Sequence, residues 1–295
     1  MNICRFNKDR LGAVEGGMVY DVTAALRALP APTWPGTPGD SLILHFDALK
    51  RAIAEVRPNA ASHALADVKL FSPIAAPPKI MAAPANYVLH ALEAKDPAIG
   101  HGFHDKQLEG VARPVDTLGI FLKASTSIVG ASQGVALKYP GRRNDHEVEL
   151  CCVIGRGGRD IPRAKAFDHI MGYFIGLDMT VRGTEDRSWR KSVDSYTVFG
   201  PWLTTAEAVK DPNNLNIWIS VNGAIKQKSS TAALPGGIAE LIEMCSSVYE
   251  LFPGDVLMTG TPEGVSQVKP GDVMMAGGDG LGEMRVDVRA YSTGA

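Results

Sequence analysis

The chain has 295 residues, 45% of them hydrophobic, with 30 Lys and Arg against 32 Asp and Glu. The formal net charge of −2 offers no footprint for nucleic acid or an anionic membrane, and no apolar run approaches transmembrane length. The opening Met-Asn-Ile-Cys-Arg lacks a signal-peptide layout, and the four cysteines form no C-x-x-C pair, which fits a reduced, cytoplasmic protein.

Residues 2 to 22 read as short strands around a Gly16-Gly17 turn. Thr23 is placed to cap a helix beginning at Ala24, and the Pro- and Gly-rich segment 30–39 is a loop. Leu, Phe and Ala recur at helical spacing from Leu42 to Val56. Phe71-Ser72-Pro73-Ile74-Ala75-Ala76-Pro77-Pro78 is a linker by composition. It divides a small N-terminal α+β domain, 1–72, from a main domain, 79–295. The first part holds no cluster of catalytic residue types and reads as an element for packing or dimerisation.

Lys79 to Ala83 should be a strand entering the main domain. Asn86 is suited to cap a helix on which His90 and Glu93, three positions apart, share a face. Such a pair is either a surface pair or a general base for water, oriented and made more basic by its carboxylate. From Ala94 to Asp116 the chain turns polar without a period, and it is placed to form a lid. His101 and His104 read as solvated residues of that loop. Gly119 to Ser125 returns to strand and carries Lys123.

The stretch from Asn144 to Arg182 holds the densest chemistry. Asn144-Asp145-His146-Glu147-Val148-Glu149-Leu150-Cys151-Cys152-Val153-Ile154 and Gly172-Tyr173-Phe174-Ile175-Gly176-Leu177-Asp178 both read as strands. Residues two apart share a strand face, so Glu147 and Glu149 point one way and Val148 and Leu150 the other. Carboxylates on an apolar strand are costly unless positive charge sits among them. Either they pair with Lys or Arg on a solvated face, or they hold a cation. The apolar surroundings and the lone Asp178 favour a metal site of Glu147, Glu149 and Asp178. All-oxygen donors suit Mg²⁺ first, then Mn²⁺ or Ca²⁺. Cys151 shares the Glu face and reads as a small core hydrophobe. Arg182 continues the Asp178 face and can grip a substrate carboxylate with two hydrogen bonds.

Beyond it, Leu215 to Val221 is a strand, and Asn222-Gly223 is a hairpin turn into Ala224 to Gln227. Pro235 to Tyr249 is a helix with Ile238, Leu241, Ile242, Cys245 and Val248 on its core face. Phe252-Pro253-Gly254-Asp255 and Lys269-Pro270-Gly271-Asp272 are turns that look like two hairpin entries. Between them, Thr259-Gly260-Thr261-Pro262-Glu263-Gly264-Val265 breaks a strand. Its N–H groups and the Thr261 hydroxyl can receive a carboxylate.

These motifs, in this order, resemble the fumarylacetoacetate hydrolase superfamily over roughly residues 79 to 290. The carriers are His146-Glu147-Val148-Glu149-Leu150, Gly172-Tyr173, Leu177-Asp178-Met179-Thr180 with Arg182, Asn86-Tyr87 with His90 and Glu93, Phe121-Leu122-Lys123 with Ser125, and Thr259-Gly260-Thr261-Pro262 with Gly264-Val265. Pro84 stands where the family usually has Gly, and Leu89 where it often has Asp. The resemblance implies a strand-rich α+β β-roll, usually dimeric, around a divalent metal. It implies a water-activating dyad of His90 and Glu93 and an active-site Lys191 that stabilises an oxyanion. It implies substrate contacts from Gln227, Thr261 and Lys123, the last beside the carboxylates. The implied reaction is hydrolysis of a C–C bond in an acylpyruvate, a 2,4-diketo acid, with pyruvate enolate leaving. The same electron sink serves decarboxylases of oxaloacetate-like acids and isomerases of hydroxymuconate-type acids. Three carboxylates alone would also suit a non-catalytic metal scaffold.

Overall fold

A computed structural model describes residues 1–93 and 113–292. The N-terminal strands are β1 (Asn2–Phe6), β2 (Arg10–Glu15), β3 (Met18–Asp21), β4 (Ser62–Ala64) and β5 (Leu70–Phe71). Next come β6 (Ile80–Ala82), β7 (Phe121–Lys123), β8 (Ile128–Gly130), β9 (Val135–Leu137) and β10 (Asn144–Asp145). The central pair is β11 (Val148–Ile154) and β12 (Ile170–Asp178), followed by β13 (Thr180–Val181) and β14 (Thr197–Thr205). The chain continues through β15 (Asn216–Val221), β16 (Ala224–Ser230), β17 (Val256–Met258), β18 (Val273–Gly278) and β19 (Gly282–Ala290).

The larger sheet is ordered β4-β3-β2-β1-β14-β12-β11-β17-β6-β7, with β5 beside β1 and β8 beside β14. A second sheet runs β16-β15-β18-β19-β9, and β10 pairs with β13. This is the strand-rich α+β architecture the pattern implies, with an open sheet rather than a closed barrel. β1 meets β14 at Asn2↔Thr204 and Ile3↔Leu203, so the N-terminal strands extend the larger sheet.

Alternation along β11 builds the core. Val148, Leu150, Cys152 and Ile154 join Ile217, Ile219, Met274 and Val286 of the second sheet and Leu241, Ile242 and Cys245 of the helix Ile238–Val248. Cys151 and Val153 take the other face and pack with Ile80, Phe174 and Phe199. Burial pushes the Cys151 thiol well above its ordinary range, as befits a core hydrophobe. Fully burying one such aliphatic side chain contributes about 1.5–3 kcal/mol. The apolar faces of β11 therefore offset part of the cost of holding Glu147 and Glu149 out of water.

Some local expectations change. Thr23 does not cap an α-helix; it begins a 3-10 turn, Thr23–Ala28, and its hydroxyl accepts from Leu11 N–H at 3.1 Å. The helix expected over Leu42 to Val56 is broken at His45 into Ser41–Leu44 and Phe46–Val56, and Asp40 caps the first piece. Asn86 is not the cap of the helix Val88–Glu93; its amide ties Gly236 O and Thr259 O, each at 2.9 Å. Val248 is 65% exposed rather than on the core face, because the helix ends there and its last turn leaves the core. The Pro270-Gly271 turn does lead into a hairpin, β18 with β19, whereas the Pro253-Gly254 turn leads into β17, which lies between β11 and β6. Asn222 and Gly223 both have positive φ and join β15 to β16 as the hairpin turn predicts. Of the stretch read as a lid, 94–112 lies outside the described residues, and so do His101 and His104.

Candidate metal and catalytic site

Glu147 directly precedes β11 and Glu149 lies within it, so both carboxylates leave one side of the strand. Asp178 closes β12, and its N–H donates to Glu147 O at 2.8 Å, fixing the two strand ends together. One oxygen from each of the three carboxyls lies within 4.8 Å of the others, and all three residues are buried. A converging set of hard oxygen donors fits a divalent cation such as Mg²⁺, Mn²⁺ or Ca²⁺.

Buried cations stand around this cluster. Lys191, at the end of the helix Arg187–Lys191, donates to Glu147 Oε2 and Asp178 Oδ2 at 2.6 Å each and to Thr180 Oγ1 at 2.7 Å. Lys123 pairs with Asp178 and donates to Tyr196 O at 3.0 Å. Burial works to raise the Glu147 carboxyl, but Lys191 and then Arg182 outweigh it and hold the group below the usual carboxylate range. Glu149 goes the other way. Burial first, then the charge on Asp178, push its carboxyl well above that range. Gly260 N–H donates to Glu149 at 2.7 Å. Glu149 is thus where the cluster lacks positive charge, and a divalent cation shared by the three carboxylates is the group that would provide it.

The dyad forms as the spacing requires. His90 and Glu93 sit on the helix Val88–Glu93, with Nδ1 3.1 Å from Glu93 Oε2. A carboxylate only accepts, so Nδ1 carries the proton and Nε2 is left as the basic nitrogen. Gly264 N–H reaches Glu93 Oε1 at 3.1 Å and fixes the carboxylate in turn.

The four residues expected to face substrate are engaged inside the protein, Lys123 through Asp178 and Tyr196 O. Arg182 donates from Nε to Asp145 Oδ2 at 2.8 Å and from Nη2 to Glu147 Oε1 at 2.9 Å, so its fork is engaged with a candidate metal ligand. Gln227 is buried, with Nε2 donating to Thr261 Oγ1 at 2.8 Å and to Pro262 O at 2.6 Å. Thr261 donates to Val148 O at 2.9 Å. The Gly-Thr-Pro turn does receive a carboxylate, but it is that of Glu149. Gly260 has φ +104, and a Cβ there would lie 2.8 Å from Asn86 Cβ, so glycine lets this N–H face inward.

Sequence reasoning gave no role to Asp145 or His146. Asp145 accepts from both Arg143 and Arg182. His146 is fully buried, with Nδ1 2.9 Å from Gln227 Oε1 and Nε2 2.8 Å from Ser266 Oγ. Burial pulls the imidazole pKa down, which keeps the ring neutral. The usable signal was a histidine between two acids at the start of an apolar strand.

The family described as fumarylacetoacetate (FAA) hydrolase C-terminal matches residues 79–289. A maleylpyruvate hydrolase of Aquipseudomonas alcaligenes is 48% identical over 291 residues, spanning 98% of this chain and 100% of that protein. The crystal structure of maleylpyruvate hydrolase from Sphingobium in complex with manganese(II) ion and pyruvate superposes with a TM-score of 0.82 at 38% identity, covering 99% of this chain and 100% of that one. A mitochondrial oxaloacetate tautomerase of Arabidopsis thaliana is 38% identical over 193 residues, 63% of this chain and 85% of that protein. With its strand order, its buried carboxylate triad and its His–Glu dyad, the chain belongs to the fumarylacetoacetate hydrolase family.

Proposed function

We propose that this chain is a divalent-metal-dependent hydrolase that cleaves a C–C bond in an acylpyruvate of the maleylpyruvate kind, in aromatic catabolism. The near-full-length relatives of that name support the substrate class. The observation that carries the chemistry is one short loop. Gly260 N–H holds Glu149 in the metal cluster, and Gly264 N–H holds Glu93 in the dyad. Metal ligands and base are therefore parts of one built site, which a non-catalytic scaffold would not need.

Glu147, Glu149 and Asp178 would hold the cation, which supplies positive charge for the oxygens of a 2-keto acid. His90 Nε2 takes a proton from water, while Glu93 keeps the ring in the required tautomer. The resulting hydroxide attacks the distal carbonyl. Lys191, the ammonium that touches both Glu147 and Asp178, lends its charge to the oxyanion. Collapse of that adduct breaks the C–C bond and releases a carboxylic acid and pyruvate, the latter leaving as its enolate and taking up a proton. Lys123 offsets charge at Asp178, and Arg182 orients Glu147.

Mg²⁺ is our choice of working ion, with Mn²⁺ as substitute, on the basis of the all-oxygen donor set. The four free, buried cysteines support a reducing, cytoplasmic setting. A homodimer rests on the family resemblance alone. No helix among the described residues is long and apolar enough to cross a membrane.

The test is a panel of 2,4-diketo and 2-keto acids with Mg²⁺ or Mn²⁺, following loss of enol absorbance and release of pyruvate. Metal-dependent release of pyruvate from maleylpyruvate is the expected result. Oxaloacetate tautomerisation or decarboxylation without hydrolysis of any acylpyruvate would refute the reading in favour of the tautomerase-like alternative.

A further inference from the structure

His146 and Gln227 touch neither a cation nor the reacting groups named above, yet both are buried polar residues with full sets of partners. Their hydrogen bonds can be given a direction. Gln227 points its NH₂ at two acceptors, Thr261 Oγ1 and Pro262 O, so Oε1 faces the opposite way. There Oε1 accepts from Val148 N–H at 3.1 Å, in the peptide between Glu147 and Glu149. It also lies 2.9 Å from His146 Nδ1, which must be the donor. Thr261 passes its own proton to Val148 O. The amide thus clamps loop 259–264 to the start of β11, and His146 adds a second donor that holds the amide oxygen in place. The same loop sits on the backbone just before Gln227: a Cβ on Gly264 would lie 2.1 Å from Lys226 O.

We propose that His146 and Gln227 are positioning residues that hold loop 259–264 as the common support of Glu149 and Glu93, so that metal affinity and base geometry depend on one buried hydrogen-bond chain. The inference rests on the metal reading of Glu147, Glu149 and Asp178 given above. Partners that orient metal ligands typically matter by about ten- to a hundredfold in affinity or activity.

The test is Mn²⁺ titration by calorimetry, with folding checked by circular dichroism. Gln227→Glu keeps the shape and the acceptor facing Val148, but it removes the donors that face Thr261 and Pro262. His146→Leu removes the donor at Nδ1, and His146→Asn retains one there. We expect folded Gln227→Glu and His146→Leu to bind Mn²⁺ about ten- to a hundredfold more weakly. The electron paramagnetic resonance spectrum of their bound Mn²⁺ should change, and kcat at saturating Mn²⁺ should fall about tenfold with KM little altered. His146→Asn should restore near-wild-type affinity and spectrum. Wild-type Mn²⁺ affinity and spectrum in folded Gln227→Glu would overturn the proposal. If that variant and His146→Leu fail to fold, His146→Asn decides: near-wild-type binding supports the donor role, and a tenfold loss overturns it. A wild-type protein that binds no Mn²⁺ overturns the metal reading and this inference with it. Variants that match a Mn²⁺-binding wild type overturn the inference alone.

Discussion

Glu149 gives the sharpest prediction, because its ionisation works against folding when no metal is bound. Its carboxyl is raised by burial and by Asp178, so the folded protein retains a proton there that the unfolded chain loses above about pH 4.3. In that window the folded state binds more protons than the unfolded state. Stability therefore falls as pH rises, until the folded carboxyl itself ionises. The slope for one such group is about 1.4 kcal/mol per pH unit. Glu149→Gln keeps the shape and removes the titration. In a metal chelator, the variant should gain on the wild type as pH rises above 5, by at most about that amount per unit. Saturating Mn²⁺ should reverse the order, because a ligand at a hundred times its Kd stabilises the wild type by about 2.7 kcal/mol and the variant hardly at all. Urea denaturation at pH 5, 6 and 7, with chelator and with Mn²⁺, measures both effects. Stability differences that stay constant with pH, or equal stabilisation of both proteins by Mn²⁺, would refute the assignment of Glu149.

His90→Ala should lower acylpyruvate hydrolysis by about a hundred- to ten-thousandfold while leaving Mn²⁺ affinity near wild type, since imidazole is no part of the oxygen donor set; steady-state kinetics and calorimetry check the two halves. Arg182→Met should cost about 1.5–3 kcal/mol of stability in urea denaturation, because it removes one charged hydrogen bond each from Asp145 and Glu147, which keep Arg143 and Lys191 as partners. Arg182→Lys should recover only part of that loss, as one ammonium cannot reproduce a two-armed fork; full recovery would show that charge alone is needed.

The carboxylate triad was legible because its signal is local. Acids in runs of apolar strand residues contradict their surroundings within a few positions of themselves. The dyad was legible for the same reason, through helical spacing. The inward partners of Arg182, Gln227 and Thr261 were not legible because they are distant in sequence. Arg182 meets Asp145 and Glu147 across the β10–β13 pairing, and Gln227 meets Thr261 only after the second sheet has folded back onto β11. Residue type told which groups are polar and buried, and the topology decided whether they face inward partners or substrate. Val248 failed more simply: periodicity marks a face, but it does not mark where the helix leaves the core.

The seam between β1 and β14 has a practical consequence for anyone shortening the chain. Along one margin β14 is covered by two different pieces of polypeptide. β8 runs beside Thr197 to Phe199, and β1 takes over at Leu203 and Thr204. Cutting away the first 72 residues would bare the peptide groups of Leu203 and Thr204 on a strand that is otherwise interior. Bare strand margins recruit other chains and invite aggregation. The exposed strand also lies next to β12, which ends at Asp178. The bared groups stand opposite Tyr173, at the end of β12 away from Asp178, while β8 still covers Thr197 beside Asp178, so a truncated chain would be sticky at the margin remote from the carboxylate cluster.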